Sequence, residues 1–219
     1  MDDSKYRTAR VFHEHADTYD AWFENSPVYD IELTALKSLH ARMSGPGMEV
    51  GVGPGRFAEE LNIAFGVDPA GAPLKLASDR DIKCCQAFGE QLPIKDGIIG
   101  TVFLLFTLCF VSDPQKTLFE CRRILKDEGT LVIGMIPSGS LWGTDLAAKK
   151  EAGHPIYRYA SFYTIERVKS WLDQAKMGIM EYRSTLYQAP GAVEQQESPR
   201  IILDEKAGFA VIVAEKNHG

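Results

Sequence analysis

The sequence predicts an α/β chain organised around a doubly wound, mostly parallel sheet, and three observations predict it. Short apolar runs alternate with amphipathic helical segments after residue 47. A glycine cluster joins the first of those runs to the first helix, and an acidic residue closes the second run, where open α/β sheets bind ligands. The composition agrees: 219 residues, 45% hydrophobic and 25% charged, have room for one large core without a disulfide or metal staple. With 24 basic against 30 acidic residues the net charge is -6, which provides no electrostatic footprint for nucleic acid or an anionic membrane.

Ahead of the sheet, the apolar residues Val11, Phe12, Ala16, Tyr19, Trp22 and Phe23, then Ile31, Leu33, Leu36 and Leu39, recur at helical spacing. They predict two or three helices, the last opened by Pro27 and ending near Met43 before the stop Ser44-Gly45-Pro46-Gly47. Met48-Glu49-Val50 is the first strand, Arg56 to Leu61 a short helix, and Ile63 to Val67 a strand ending at Asp68. A helix from Pro69 to Arg80 and strands over Ile82 to Ala87 and Thr101 to Phe106 follow. Asp113 caps a helix that Pro114 opens and Leu125 closes, and Asp127-Glu128-Gly129 turns into a strand over Thr130 to Ile136. Pro137 to Ser161 forms an insertion that is helical over Leu141 to Lys150, and Thr164 caps a helix to Gln174 or Lys176. Ile179 to Tyr187 and Ala210 to Ala214 complete the sheet as an antiparallel pair, with Gln188 to Asp204 a mobile polar loop between them.

The chemistry centres on Glu49-Val50-Gly51-Val52-Gly53-Pro54-Gly55-Arg56 and on Asp68. Glycines between strand and helix permit a tight turn and close approach of a ligand to the backbone. An acid at the end of the neighbouring strand is placed to accept both hydroxyls of a ribose, so a ligand bearing a nucleoside is expected. Arg56 stands where a dinucleotide fingerprint needs its third glycine, and no Gly-Lys-Ser or Gly-Lys-Thr is present here for a phosphate loop.

In this pattern the sequence resembles the class I S-adenosylmethionine-dependent methyltransferases, in their small-molecule branch. The matching segments run in order from Phe12 to about Ile136: F-x-x-x-A-x-x-Y-D-x-W-F over Phe12 to Phe23, the glycine motif, Val67-Asp68-Pro69, Gly89-Glu90-Gln91-Leu92-Pro93, and Arg122-Arg123-Ile124-Leu125-Lys126 before Gly129. The resemblance implies a seven-stranded Rossmann-like sheet with an antiparallel C-terminal strand and an N-terminal helical lid. It also implies S-adenosyl-L-methionine as cofactor, S-adenosyl-L-homocysteine as product, and methyl transfer to a small molecule. By the same resemblance Glu49 and the turn of Gly51, Gly53 and Gly55 hold the methionine end, and Asp68 holds the ribose. Gly89 and Glu90 lie beside the adenine with Leu108 or Cys109 at its edge, and Phe12 and Tyr19 belong to the lid. Phe88 replaces an aspartate common in the family just before Gly89, and Gly100 replaces another at the start of the fourth strand. Adenine recognition is then expected from backbone near Gly89 and packing by Phe88. The implied division is a single domain over 1–219: lid 1–44, cofactor core 47–136, insertion 137–163 over the acceptor, and remaining sheet 164–219.

Two other readings carry less support: a noncatalytic domain retaining the fold, favoured by Phe88 and Gly100, and an NAD-dependent oxidoreductase, disfavoured by Arg56. Tyr19 is the first candidate at the transfer centre and His154 a candidate base. Trp142, Tyr157 and Tyr163, with His154 and Tyr159, suggest an aromatic pocket for a planar or cationic acceptor. No metal is expected, because His13 and His15 are two residues apart and point away from each other on a helix. Cys84, Cys85, Cys109 and Cys121 form no CxxC pair and are expected to be reduced core thiols, consistent with a cytoplasmic protein. The start MDDSKYRTAR lacks the pattern of a secretory signal, and the run from Ile98 to Val111 is too short and polar for a membrane span. A monomer and a homodimer are both compatible with the sequence.

Overall fold

The computed structural model describes residues 4–40 and 45–217. Met1 to Asp3 of the amino-terminal reading, and Met43 and Ser44 of the helix end, lie outside the described residues. Three helices come first: α1 (Ser4–Glu14), α2 (Ala16–Ala21) and α3 (Pro27–Lys37). The alternating part comprises β1 (Gly47–Val50), α4 (Arg56–Glu60), β2 (Phe65–Asp68), α5 (Gly71–Asp79), β3 (Lys83–Gln86), β4 (Ile99–Leu105), α6 (Pro114–Ile124) and β5 (Leu125–Met135). Then come α7 (Leu141–Glu151), a 3-10 turn (Tyr157–Tyr159), α8 (Ile165–Gln174), β6 (Met177–Thr185) and β7 (Phe209–Lys216). The seven strands form one sheet in the order β3-β2-β1-β4-β5-β7-β6. Strands β1 to β5 are parallel, and β7 lies antiparallel between β5 and β6.

Period-two alternation builds a core on each face of this sheet. On β4, buried throughout, Val102 and Leu104 join Leu118 of α6 and Leu172 of α8, while Phe103 and Leu105 join Ile31 of α3, Phe57 of α4 and Ala77 of α5. Covering both faces is what makes β4 read as a continuous apolar run. Helix starts follow local chemistry: the side chains of Ser26, Asp113, Ser140 and Thr164 accept hydrogen bonds from Tyr29, Lys116, Gly143 and Arg167 amides.

Several boundaries differ from the sequence expectation for tertiary reasons. Helix α3 stops at Lys37, short of Met43, where Arg183 of β6 donates to the Ser38 carbonyl at 3.0 Å and its Oγ at 3.2 Å. Helix α5 starts at Gly71 instead of Pro69, because the Asp68 carboxylate takes the Ala70 amide at 2.8 Å. The turn at Asp127-Glu128-Gly129 is an irregularity within β5, whose register jumps from Leu125 opposite Ile99 to Thr130 opposite Thr101. Strand β6 ends at Thr185 because Leu186 adopts φ 65°, and β4 ends at Leu105 because Phe106 adopts φ 56°.

Other surface readings also change. The 188–204 loop is tied down: Glu197 accepts the Tyr187 and Gln188 amides at 2.8 and 3.0 Å, and Arg200 bridges to Ser184. Arg123 of the matching Arg122-Arg123 segment donates to the Ile94 and Leu92 carbonyls and pairs with Glu120 and Asp96. All four cysteines are free, but Cys85 is exposed on edge strand β3 and Cys84 only half-buried, so the core-thiol expectation fails for this pair. No helix among the described residues is long and apolar enough to cross a membrane.

Candidate active site

The strand order reverses at β1, which pairs with β2 on one side and β4 on the other, so the segments leaving β1 and β4 line a common crevice. Gly51 (φ 80°) and Gly53 (φ 52°) use backbone conformations that suit glycine. A Cβ at Gly51 would lie 2.6 Å from Thr107 Cγ2, and one at Gly53 would meet the Tyr19 ring at 3.6 Å. Both glycines therefore bring bare backbone to the crevice floor.

Asp68 closes the floor, accepting the Gly53 amide at 3.0 Å and the Ala70 amide at 2.8 Å. Burial pushes its carboxyl up to about 6, against the opposing pull of those two hydrogen bonds. Glu49 is buried on β1, its Oε2 without a hydrogen-bond partner among the described residues, and burial together with the Asp68 charge raises its carboxyl well above the usual range. Over this floor is a cavity of about 680 Å³, walled by Val50, Gly51, Gly53, Asp68, Phe88, Gly89, Glu90 and Thr107, and roofed by Lys5, Thr8 and Phe12 of α1. The Phe88 ring packs edge-on against Tyr6 at 5.2 Å, with the Lys5 ammonium 4.7 Å from its centroid. The position that often carries aspartate in the resembled family is thus a hydrophobic dock for α1.

A second cavity, of about 1130 Å³, lies on the other side of Tyr19. Its wall includes Trp22 and Phe23 just after α2, Tyr29 and Glu32 of α3, Phe106, Leu108 and Cys109 after β4, and Trp142, Tyr157 and Tyr163. Tyr19, Phe106 and Phe110 line both cavities. Tyr19 is held edge-to-face by Phe12, Trp22 and Phe23 at 5.2, 5.2 and 5.4 Å, and burial raises its phenol well above its ordinary value. The left-handed turn at Phe106 splits the segment after β4. Thr107 Oγ1 donates to the Val50 carbonyl at 2.8 Å beside the smaller cavity, while Leu108 and Cys109 face the larger one.

The expected site residues divide accordingly. Phe12, Tyr19, Gly51, Gly53, Asp68, Phe88, Gly89 and Glu90 surround the smaller cavity, and Trp142, Tyr157 and Tyr163 the larger. Glu49 lies beneath the floor instead of in the wall. Three placements change more. Gly55 lines neither cavity; its Cβ would lie 2.5 Å from Ile82 Cδ1, so it serves close packing of the turn on the α5–β3 unit. Leu108 and Cys109 belong to the larger cavity, away from the expected adenine edge, and burial pushes the Cys109 thiol up to about 12. His154 lines neither cavity: its Nδ1 accepts the Ile156 and Tyr157 amides at 3.3 Å, and its ring packs on Tyr157 and Trp22. Burial lowers its pKa, and its placement is that of a turn cap behind the wall. Tyr159 likewise stays outside, under the Arg158 guanidinium. Glu90 also ties down the segment after β4, accepting from the Ser112 amide and hydroxyl at 2.8 Å each.

Sequence reasoning missed the lock between lid and glycine turn. Asp20 of α2 receives a two-pronged contact from Arg56, at 2.7 and 2.6 Å, and another from Arg80 at 3.0 Å, while Arg80 also donates to the Pro54 carbonyl. These pairs hold the Asp20 carboxyl below its usual value despite the opposing effect of partial burial. Asp20→Ala is expected to cost about 1.5–3 kcal/mol of stability by removing charge-assisted bonds from half-buried guanidinium groups. Urea unfolding measures this, and a loss below experimental error would show that the lock is ornamental. Its signal was the Tyr19-Asp20 pair inside the resembled helix, with Arg56 in the third-glycine place.

A family model for a methyltransferase domain matches residues 48–133. An uncharacterised protein of Mycobacterium tuberculosis is 37% identical over 203 residues, covering 91% of this chain and 71% of that relative. An uncharacterised protein of Methanocaldococcus jannaschii is 34% identical over 207 residues, 94% and 98% of the two chains. A Thermotoga maritima crystal structure, described as an S-adenosylmethionine-dependent methyltransferase and possible histamine N-methyltransferase, superposes with TM-score 0.88 at 30% identity, covering 96% of this chain and 100% of that one. The chain belongs to the class I S-adenosylmethionine-dependent methyltransferases. It transfers a methyl group from S-adenosylmethionine to a small molecule. The chemistry of the smaller cavity fits that cofactor: the Asp68 carboxylate and aromatic walls, over a buried Glu49 oxygen that has no partner among the described residues, suit a ligand that carries positive charge.

Proposed function

We propose that the smaller cavity holds S-adenosylmethionine, that the larger cavity receives the methyl acceptor, and that Tyr19 stands where the two meet. The observation that carries this reading is that Tyr19 lines both cavities and covers the Gly53 backbone. In it, Gly51 and Gly53 present backbone to the methionine end with Glu49 beneath, Asp68 accepts the ribose hydroxyls, and Phe88 and Gly89 bound the adenine.

The cofactor supplies a methyl group already activated on a sulfonium, for in-line displacement. The chain's own task is to hold an acceptor atom about 3 to 3.5 Å from that methyl and to exclude water. The aromatic contacts around Tyr19 meet the second requirement, and its un-ionised phenol positions without acting as a base at neutral pH. His154 acts in this reading as a positioning residue that shapes the 3-10 turn carrying Tyr157. The described part of residues 1–44 is the lid and residues 137–163 the acceptor-side wall, in a single domain over 1–219. The four free cysteines are compatible with a cytoplasmic setting, and the likeness to the Thermotoga maritima protein supports a small acceptor.

Tyr19→Phe tests the boundary. The variant is expected to keep its stability within about 0.5 kcal/mol and its affinity for S-adenosylhomocysteine, while the single-turnover transfer rate falls about tenfold, equivalent to roughly 1.4 kcal/mol in the barrier. An unchanged rate would assign Tyr19 to packing alone.

A further inference from the structure

One charged side chain in the larger cavity is unexplained by the fold. Glu32 lies on α3 one turn after Val28 and three residues after Tyr29, and all three line the cavity. It is only 6% exposed, and among the described residues its carboxylate makes no hydrogen bond or ion pair. An acid buried in this way is costly unless something pairs with it.

The groups around it do not supply that partner. Lys149, the cation in the wall, is paired with Asp145 at 2.8 Å. The remaining titratable groups are Tyr19, Tyr29, Tyr157, Tyr163 and Cys109, all kept neutral by burial. Burial pushes the Glu32 carboxyl up to about 8, and a positive charge brought beside it would favour its ionised form. The wall itself favours such a charge: the Trp22 and Tyr157 rings stack at 5.8 Å, beside Phe23 and Phe106, and aromatic faces attract ammonium groups.

We propose that the acceptor is an amine whose ammonium group is held by Glu32 among these aromatic rings, and that Glu32 takes the proton its nitrogen must lose. The inference rests on the assignment of the larger cavity to the acceptor. The ammonium R-NH3+ gives one proton to the Glu32 carboxylate, leaving neutral R-NH2 with its lone pair free. That nitrogen forms the new N–C bond to the methyl as the C–S bond breaks with its electron pair going to sulfur. The products are R-NH2CH3+ and S-adenosylhomocysteine, and the proton on Glu32 passes to water, one per methyl transferred.

The test uses the full chain saturated with S-adenosylhomocysteine, titrated calorimetrically with 2-phenylethylamine and with its neutral isostere 2-phenylethanol. The amine is expected to bind about tenfold more tightly than the alcohol near pH 8, as a charge-assisted contact should. Its affinity should rise between about pH 6 and pH 8 as Glu32 loses its proton while the amine stays protonated, with the alcohol flat. Glu32→Gln should remove the preference for the amine and leave alcohol binding unchanged, and Glu32→Asp should restore part of it. An amine preference that survives in Glu32→Gln overturns the inference. So does an equal affinity of the native chain for both probes, although that result leaves the acceptor cavity standing. Binding of neither probe overturns the cavity assignment and this inference together. If Glu32→Gln does not fold, the native chain decides, and a ratio of amine to alcohol affinity that is constant with pH overturns the inference.

Discussion

Gly51→Ala is expected to abolish measurable binding of S-adenosylhomocysteine and to lower the unfolding free energy by about 2–4 kcal/mol. Two independent effects act at this position. The backbone holds φ 80°, where an L side chain is strained. The added methyl would also lie 2.6 Å from Thr107 Cγ2 and 3.0 Å from its Cβ. Thr107 cannot swing aside without giving up its 2.8 Å hydrogen bond to the Val50 carbonyl, a bond that joins the segments leaving β1 and β4. The turn must therefore move, and with it the Gly51 and Val52 amides, both bonded to the Val67 carbonyl. Calorimetric titration and urea unfolding measure the two losses. A variant that binds with native affinity would show that the cofactor does not approach this backbone.

Asp68→Ala is expected to weaken S-adenosylhomocysteine binding by about 1.5–3 kcal/mol, roughly 10- to 140-fold, with the fold preserved. The loss combines direct charge-assisted bonds to the ribose with the Gly53 and Ala70 amides that this carboxylate orients. An unchanged dissociation constant would remove Asp68 from the ribose site. The native chain should also show a pH dependence with a definite sign. Because the carboxyl titrates at about 6 in the folded chain, cofactor affinity should fall as pH drops through 6, when the acceptor oxygen gains a proton. Stability of the free protein has the opposite sign. The folded value lies above the usual carboxylate value of 3.8, so the contribution of Asp68 to stability is present in full below that value and lost as pH rises through 6.

Much of this architecture was legible because it rests on local rules. Pro27, Asp113 and Thr164 announced helix starts, and the period of two or of 3.6 separated strands from helices. The glycine cluster and Asp68 were recognisable because a tight turn and a terminal-strand acid need particular residue types at particular spacings. Illegible features were those whose partners lie far along the chain. Arg183 ends α3 from 145 residues away, and Arg123 reaches back to the Leu92 and Ile94 carbonyls. Gly55 looked like part of the ligand cradle because its neighbours Gly51 and Gly53 are, yet its missing side chain makes room for Ile82. His154 read as a candidate base, yet its Nδ1 accepts two amides of its own turn.

By itself, then, the sequence determined the alternating α/β frame, the glycine turn with its acid, and the family, since each depends on residue type and short spacing. Tertiary structure alone decided that Tyr19 stands between two cavities, that Leu108 and Cys109 face the larger one, and that Glu32 is left unpartnered inside it. Glu32 illustrates the physical reason. On α3 it is an ordinary acid in a helix, and only the packing of α3 and the post-β4 segment around a common aromatic space removes its water without providing a counter-charge.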